Sequence, residues 1–410
     1  MLGLDDKQIK ELSHWNHDGV TNIFVWIKKE SQKCPHCSKS TVSTNGTQTV
    51  KLNHAAFNDR PCIIHFKKYR YVCTDCGITF MLPNPISSRK SRISNNSIRQ
   101  VMKLAKDPRM TFKLIADQVN ISSTAVMNTF FSNAKVPVGE LPSVLCIDEV
   151  YLGRKSKKKY AVVLLNFETN EVVDLIYGRS VEDCIRGLDH YTRDKRNKVK
   201  YVSTDMYSGF FKLSKTFFPK ATICVDSFHV IKLIIDSYQK LLIKIMKKHD
   251  TESKEYYLLK NYRHILLKNN GNVEWFKRKY NHKLGYYISN TKIKELLFEI
   301  DKDIQLCYEL KESYISFNRL KDSTHLEEKL NILITDFNNS SYDGYQRIAK
   351  TLSKNKEYIL NSFIRIRKRR ISNGPIESRN AVIKMIIKTS GGYRNFDNLR
   401  IRALYVLNAK

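Results

Sequence analysis

Two cysteine pairs constrain this chain more than any other feature: Cys34-Pro-His-Cys37 and Cys73-Thr-Asp-Cys76, with 35 residues between them. Two residues between thiolates let both reach one tetrahedral ion without strain, so two such pairs close a four-sulfur site around Zn²⁺. The chain between them must therefore return on itself. Gly77, directly after the second pair, suits a tight knuckle because glycine adopts left-handed backbone at no steric cost. Redox-active pairs or free structural thiols are the alternative, and two pairs in one small module weigh against it. His36, His54, Cys62 and His65 lie nearby and read as packing or surface residues. Stretches 20–28 and 63–72 are strand-like, so residues 1–88 read as a metal-stapled module with Cys34, Cys37, Cys73 and Cys76 as ligands.

From residue 94 the pattern turns helical, over 97–105, 111–119 and 123–131, with a turn at 120–122. Ala116 permits close helix approach, Ile121 plugs the turn and Ser122 or Ser123 caps the helix that follows. Residues 89–140 thus fit a helix-turn-helix, with an ordinary helical hairpin as the alternative. Its second helix would present Thr124 and Asn128 to bases. Pro137 and Pro142 mark a linker. Three β-branched runs follow at 144–147, 160–166 and 171–177, then a helix at 181–191, a strand at 199–204, a helix at 209–217 and a strand at 222–225. That β-β-β-α-β-α-β order is the order of an RNase H-like core, here spanning 141–230. Residues 231–370 read as an all-helical insertion. Residues 371–410 hold a helix opening at Gly374-Pro375, a break at Gly391-Gly392 and a final amphipathic helix.

The 410 residues carry 71 Lys and Arg against 40 Asp and Glu, a formal charge of +31 spread along the whole chain. Such a field favours a polyanion. Neither a secretory leader nor a run of 18 apolar residues occurs, so an intracellular protein is expected, and four of the nine cysteines in two Cys-x-x-Cys pairs favour metal over disulfides in a reducing compartment. Against this basic background a few acids stand out. Asp148 and Asp205 end the first and fourth strands of the expected core, which are neighbours in such a sheet. Carboxylates at adjacent strand ends suit Mg²⁺ and substrate phosphates. Glu377 opens the helix after Gly374-Pro375, on one face with Asn380, Lys384 and Lys388, while Val382, Ile383, Ile386 and Ile387 form the apolar stripe. A solvated amphipathic helix with a favourable N-terminal Glu is the alternative there. Just upstream runs Arg365-Ile-Arg367-Lys368-Arg369-Arg370. Asp226-Ser-Phe-His229 follows the fifth strand and serves equally as site or structural cap on local chemistry alone.

Taken together, the paired cysteines, the helix-turn-helix, Ile147-Asp148-Glu149, Thr204-Asp205-Met206, Asp226-Ser-Phe-His229, Gly374-Pro-Ile-Glu377 with Asn380, and Gly392-Tyr-Arg-Asn-Phe396 resemble the ISL3-type insertion-sequence transposases, in family order over nearly the whole chain. Ser378-Arg379 departs from the small residue common after the Glu. The resemblance implies a multidomain α+β DDE transposase: a zinc ribbon (1–88), a helix-turn-helix (89–140), an RNase H-like core (141–230 and 371–410) and an insertion (231–370). It implies Asp148, Asp205 and Glu377 as the triad holding two Mg²⁺ or Mn²⁺ ions, with Asp226, His229, Asn380 and Lys384 as accessory residues. The ions would activate water for in-line attack at each transposon end, and the freed 3′-hydroxyl would attack target DNA. Thr124, Asn128, Arg365, Arg367, Lys368, Arg369, Arg370 and Lys388 would contact double-stranded DNA. Pairing two ends implies a homodimer or larger assembly on DNA, at the bacterial nucleoid. The rival readings are a non-catalytic DNA-binding regulator and a nuclease without strand transfer.

Overall fold

Alternating burial along long strands builds the N-terminal sheet. The computed structural model describes residues 4–57, 60–88, 91–136, 139–321 and 324–408; Pro137, expected to mark the linker, lies outside them. The chain divides into two compact units: residues 1–137, 152–157 and 381–410, and residues 138–151 and 158–380. In the first, β1 (Ile9–His17), β2 (Val20–Ile27), β3 (Val42–Phe57), β4 (Arg60–Cys73) and β5 (Thr79–Met81) form one sheet in the order β1-β2-β4-β3, with β5 also on β4. Every second residue of β4, from Cys62 through Ile64 to Phe66, is buried, and Val25 and Leu52 join that core, the period a half-covered strand requires.

Three helices follow: α1 (Asn95–Leu104), α2 (Phe112–Val119) and α3 (Ser123–Asn133). Asn120 closes α2 in left-handed backbone, φ 55°, and Ser122 caps α3 by accepting the Ala125 amide at 3.1 Å. Val101, Ile115, Ala116, Val119, Val126 and Phe130 make the shared core.

In the second unit, β6 (Val144–Tyr151), β7 (Tyr160–Asn166) and β8 (Val172–Tyr177) form an antiparallel meander. Next come α4 (Val181–Leu188), α5 (Arg193–Asn197), β9 (Tyr201–Thr204), α6 (Ser208–Phe217) and β10 (Thr222–Val225). The sheet order is β10-β9-β6-β7-β8, with β9 parallel to both β6 and β10. The strands are almost continuously buried, as parallel or fully covered strands must be.

The remaining helices are α7 (Ser227–Met246), α8 (Lys254–Leu267), α9 (Asn290–Ile300), α10 (Lys302–Asn318), α11 (Leu326–Asn338), α12 (Asp343–Lys354) and α13 (Lys356–Asn361). They pack around Ile234, Tyr238, Leu242, Leu259, Leu297, Phe337 and Tyr345. Contrary to the all-helical expectation, this segment holds two antiparallel hairpins: β11 (Arg278–Asn281) with β12 (Tyr286–Ser289), and β13 (Arg365–Ile366) with β14 (Arg369–Arg370). Strands this short carry too few alternations to rise above a helical background. Helix α13 ties back to the sheet, with Asn361 Nδ2 donating to Ile223 O at 3.0 Å.

Helix α14 (Gly374–Thr389) begins in the second unit and continues into the first, and α15 (Phe396–Leu407) lies wholly in the first. Helix α15, in the segment expected to complete the RNase H-like core, packs on the three-helix cluster. Tyr405 meets Phe130 edge-on at 5.1 Å, and its hydroxyl donates to Met102 O at 2.9 Å. The buried Arg402 guanidinium donates to the carbonyls of Ala105, Asp107 and Met110.

Candidate active site and metal centre

Two matching knuckles build the sulfur centre. Ser38 N donates to Cys34 O and Gly77 N to Cys73 O, each at 2.9 Å, and Cys34 N and Cys73 N in turn donate to Lys39 O and Ile78 O. Ser38 (φ 62°) and Gly77 (φ 71°) occupy the same left-handed position in the two knuckles. Strand pairing of Val42 with Cys73 brings them together. Cys34 Sγ lies 3.6 Å from Cys76 Sγ and Cys37 Sγ 3.5 Å from Cys73 Sγ, with all four sulfurs within 4.8 Å of one another. Sulfurs about 2.3 Å from one tetrahedral ion stand about 3.8 Å apart, so the four fit zinc. Backbone amides aimed at the first sulfur of each pair pull Cys34 below its ordinary range and Cys73 down to about 6, which favours the thiolate there, while burial and the neighbouring thiols push Cys37 and Cys76 up. Of the nearby residues, His54 is buried against Ser94 Oγ at 2.8 Å, His65 bonds Asn22 Oδ1 at 2.9 Å, Cys62 is buried and His36 is exposed.

The carboxylates are assembled by sheet register. β6 pairs with β9 through Cys146↔Ser203, and β9 with β10 through Thr204↔Val225. Asp148 lies two residues beyond the Cys146↔Ser203 pair in β6, and Asp205 and Asp226 are the first residues after β9 and β10, so the three acids belong to three neighbouring strands of one sheet. Asp148 lies inside β6, not at its end as expected: β6 outruns β9 and stays paired with β7 up to Tyr151↔Tyr160. Burial raises Asp148 to about 6, and burial also raises Asp205. Asp205 Oδ1 accepts the Tyr207 amide at 2.9 Å. Asp226 is 1% exposed and already occupied, accepting the Asn373 amide on Oδ1 and His229 Nδ1 on Oδ2, both at 3.1 Å. That bond to Asp226 raises the His229 imidazole above its usual range.

Helix α14 meets this row through its start. Asn373 Nδ2 donates to Ile147 O at 3.0 Å, and Asn380 Nδ2 donates to Asp148 Oδ2 at 2.8 Å. Both amide oxygens are buried without a partner among the described residues. Glu377 is exposed on the first turn, three residues before Asn380 and hence on its face. The cysteines are the one group of three or more ligand-bearing residues that closes to 4.8 Å among the described residues; Asp148, Asp205 and Glu377 do not.

Lys384 and Lys388 are exposed on α14, as are Thr124 and Asn128 on α3. Arg365, Arg367, Lys368 and Arg369 are exposed on the β13–β14 hairpin, where Arg367 lies 3.4 Å from Glu168 and Arg369 stacks over Phe167. Arg370 differs: its guanidinium is committed to Ser362 O, Ser362 Oγ and Asn318 O and lies 3.8 Å over the Phe363 ring. Sequence reasoning missed Arg179, which grips both oxygens of Glu149 at 2.9 and 3.0 Å and stacks over Tyr160. An arginine just after a strand carries no local signal of such a partner.

These features agree with comparisons to known families. A family model described as a transposase, of the ISL3 type, matches residues 145–403, and a model described as the zinc finger of transposases IS204, IS1001, IS1096 and IS1165 matches residues 30–76. No curated protein matches. The transposase match covers more than half of the chain, and the chain therefore belongs to the ISL3 family of transposases.

Proposed function

We propose that this chain cleaves and joins DNA at the inverted-repeat ends of its insertion sequence, with Asp148, Asp205 and Glu377 holding Mg²⁺ or Mn²⁺. The observation that carries the reading is the row of acids across three adjacent parallel strands, with Asn380 of the Glu377 helix bonded to the first. The strand order, with antiparallel β6–β8 and parallel β9 and β10, supports an RNase H-like core interrupted by an insertion. The donor set is all oxygen, which suits a hard cation. The unpartnered amide oxygens of Asn373 and Asn380, and a buried Asp148 whose carboxyl burial raises to about 6, are features a bound cation would relieve. Two such ions, when bound, supply activation of the attacking oxygen and stabilisation of the leaving one.

The chain's own residues divide the remaining work. Asn380 orients Asp148. Asp226, 1% exposed and accepting from Asn373 and His229, is a positioning residue, which leaves Asp205 as the more open partner of Asp148. His229 Nδ1 is held by Asp226, so the ring is fixed for contact with a phosphate. Thr124 and Asn128 on α3 suit base contacts of a helix-turn-helix, while Arg365, Arg367, Lys368, Arg369, Lys384 and Lys388 suit phosphates. The zinc ribbon joins α1–α3 in reading the ends, and two ends call for at least two copies. Glu377→Gln keeps the side chain's shape and removes its charge. End-DNA binding should persist while nicking disappears; nicking at the wild-type rate overturns the triad.

A further inference from the structure

The hairpin β11–β12 has two unlike faces. Register places Lys279 with Ile288 and Asn281 with Tyr286 on one face, and Arg278 with Ser289 and Tyr280 with Tyr287 on the other. The first is anchored. Ile288 and Asn281 are buried; Asn281 Oδ1 accepts from the Tyr257 hydroxyl at 3.1 Å and the Leu284 amide at 3.0 Å, and its Nδ2 donates to the Tyr262 hydroxyl at 2.8 Å. The second is open. Tyr280 is 47% exposed, Tyr287 70%, and Phe276, just ahead of the strand, 89%, the most exposed large apolar residue among those described. Tyr280 packs against Tyr287 at 5.2 Å and His282 at 5.1 Å, which joins the rings into one surface.

Charge decides what such a surface receives. Lys277, Arg278, Lys279, His282 and Lys283 interleave with the rings, and no acid occurs between Trp275 and Ser289. Protein interfaces are depleted of lysine at their cores. Exposed aromatic rings among cations are instead the combination that binds nucleic acid strands, bases on the rings and phosphates on the cations. Duplex DNA hides its base faces in the stack, whereas an unpaired strand offers them. We infer that the β11–β12 hairpin is a stacking platform for unpaired bases of DNA, with Phe276, Tyr280 and Tyr287 taking base faces and Arg278, on the same face as the two tyrosines, an adjoining phosphate. The inference rests on the DNA-processing function proposed above and specifies the form of DNA that the insertion receives. Because Asn281 and Ile288 fix the hairpin beforehand, little ordering opposes binding.

Fluorescence anisotropy on the full chain tests this, with labelled oligo(dT) of about 15 nucleotides and a blunt duplex of an element end of the same length. Tyr280→Ala with Tyr287→Ala should weaken oligo(dT) binding about 10-fold or more and leave duplex affinity within about 2-fold. Tyr280→Phe with Tyr287→Phe, which keeps the rings, should bind oligo(dT) like wild type and guards against misfolding. Wild-type affinity of the alanine pair for oligo(dT) overturns the platform. So does equal loss of oligo(dT) and duplex binding with an unchanged melting curve. Loss of self-association with oligo(dT) affinity intact also overturns it, by assigning the face to a second copy. A wild-type chain that binds neither DNA sinks the parent function, a result distinct from failure of the hairpin alone.

Discussion

The four cysteines come from two short knuckles of one sheet, each shaped by its own backbone, with the sulfurs already at 3.5 and 3.6 Å. The acids come from three strands and a helix start, and the Asn380–Asp148 bond alone bridges 232 residues. Their orientation is borrowed from neighbours: Asn380 for Asp148, the Tyr207 amide for Asp205, Asn373 and His229 for Asp226. The sulfur centre is thus closed and local, as a structural site should be, whereas the acidic row is assembled from distant parts of the chain, which suits the ion-binding role proposed for it. Burial within that row raises Asp148 and Asp205.

Breaking the sulfur centre should have the largest effect. Cys73→Ser with Cys76→Ser removes half the ligands, and structural zinc carries on the order of 10 kcal/mol or more of apparent folding free energy in small modules. The variant should lose zinc by elemental analysis and lose hydrogen-exchange protection along β3 and β4. Unchanged zinc content, or iron in its place, removes the cysteine centre from the comparison.

Within the acidic row the contrast is between ligand and support. If Asp205 is a direct ligand as proposed, Asp205→Ala should abolish both nicking and joining of a labelled end duplex in Mg²⁺ or Mn²⁺. His229→Ala should leave nicking reduced about 10 to 100-fold, the usual cost of an outer partner. Robust nicking by Asp205→Ala with none by Asp226→Ala would exchange the two roles.

The two regions should also respond to pH in opposite directions. Asp148 keeps its proton in the fold up to about 6, whereas the unfolded chain releases it near 3.9, so its contribution is full below that value and falls as pH rises through about 6. At 1.36 kcal/mol per pH unit that is at most about 3 kcal/mol. His229, raised by Asp226, adds the same sign: its contribution is present below about 6.5 and lost as pH climbs through its folded value. Burial lowers His54, so the N-terminal sheet is most stable above about 6.5 and weakens as pH falls. Opening free energies from hydrogen exchange, corrected for intrinsic rates, should slope down with pH for β6 and β9 amides in metal-free protein and up for β3 and β4. Asp148→Asn should flatten the first slope between about 4 and 6; an unchanged slope assigns it elsewhere.

How much of this was legible in sequence follows the same divide. The cysteine centre is encoded in spacing and a glycine, the strands β7 and β10 in short β-branched runs, and the three-helix region in Thr111, Ser122 and the turn at Asn120. What depends on distant partners was not legible. Asp148 reads as a strand end because sequence does not show that β6 outruns β9. Arg402 carries no local signal in the sequence, yet it is buried against the carbonyls after α1. Arg370 belongs to a basic run and is committed to carbonyls nearby and 52 residues upstream. In each case the missing information is register or a tertiary contact, which local composition does not carry.

The smallest expected effect lies in backbone strain, which both regions contain. In the knuckles it is mild: Gly77 takes one left-handed position freely, and Ser38 takes the other. At the tip of β13–β14, Arg367 (φ 47°) and Lys368 (φ 67°) are both left-handed, in the two-residue turn where Asn-Gly is preferred. A left-handed residue with a side chain costs roughly 1–2 kcal/mol, and such strain persists where function selects the side chains over the backbone. Arg367→Asn with Lys368→Gly should therefore raise the unfolding free energy by about 1–2 kcal/mol. If these cations meet phosphates, the same change should weaken end-DNA binding and reduce the dependence of log K on log salt, by roughly 0.9 per lost contact on duplex. Greater stability with an unaltered salt slope would make the turn a plain structural compromise. Lower stability would mean that the Arg367–Glu168 pair outweighs the strain, and that this turn is held by side chains as the knuckles are held by backbone.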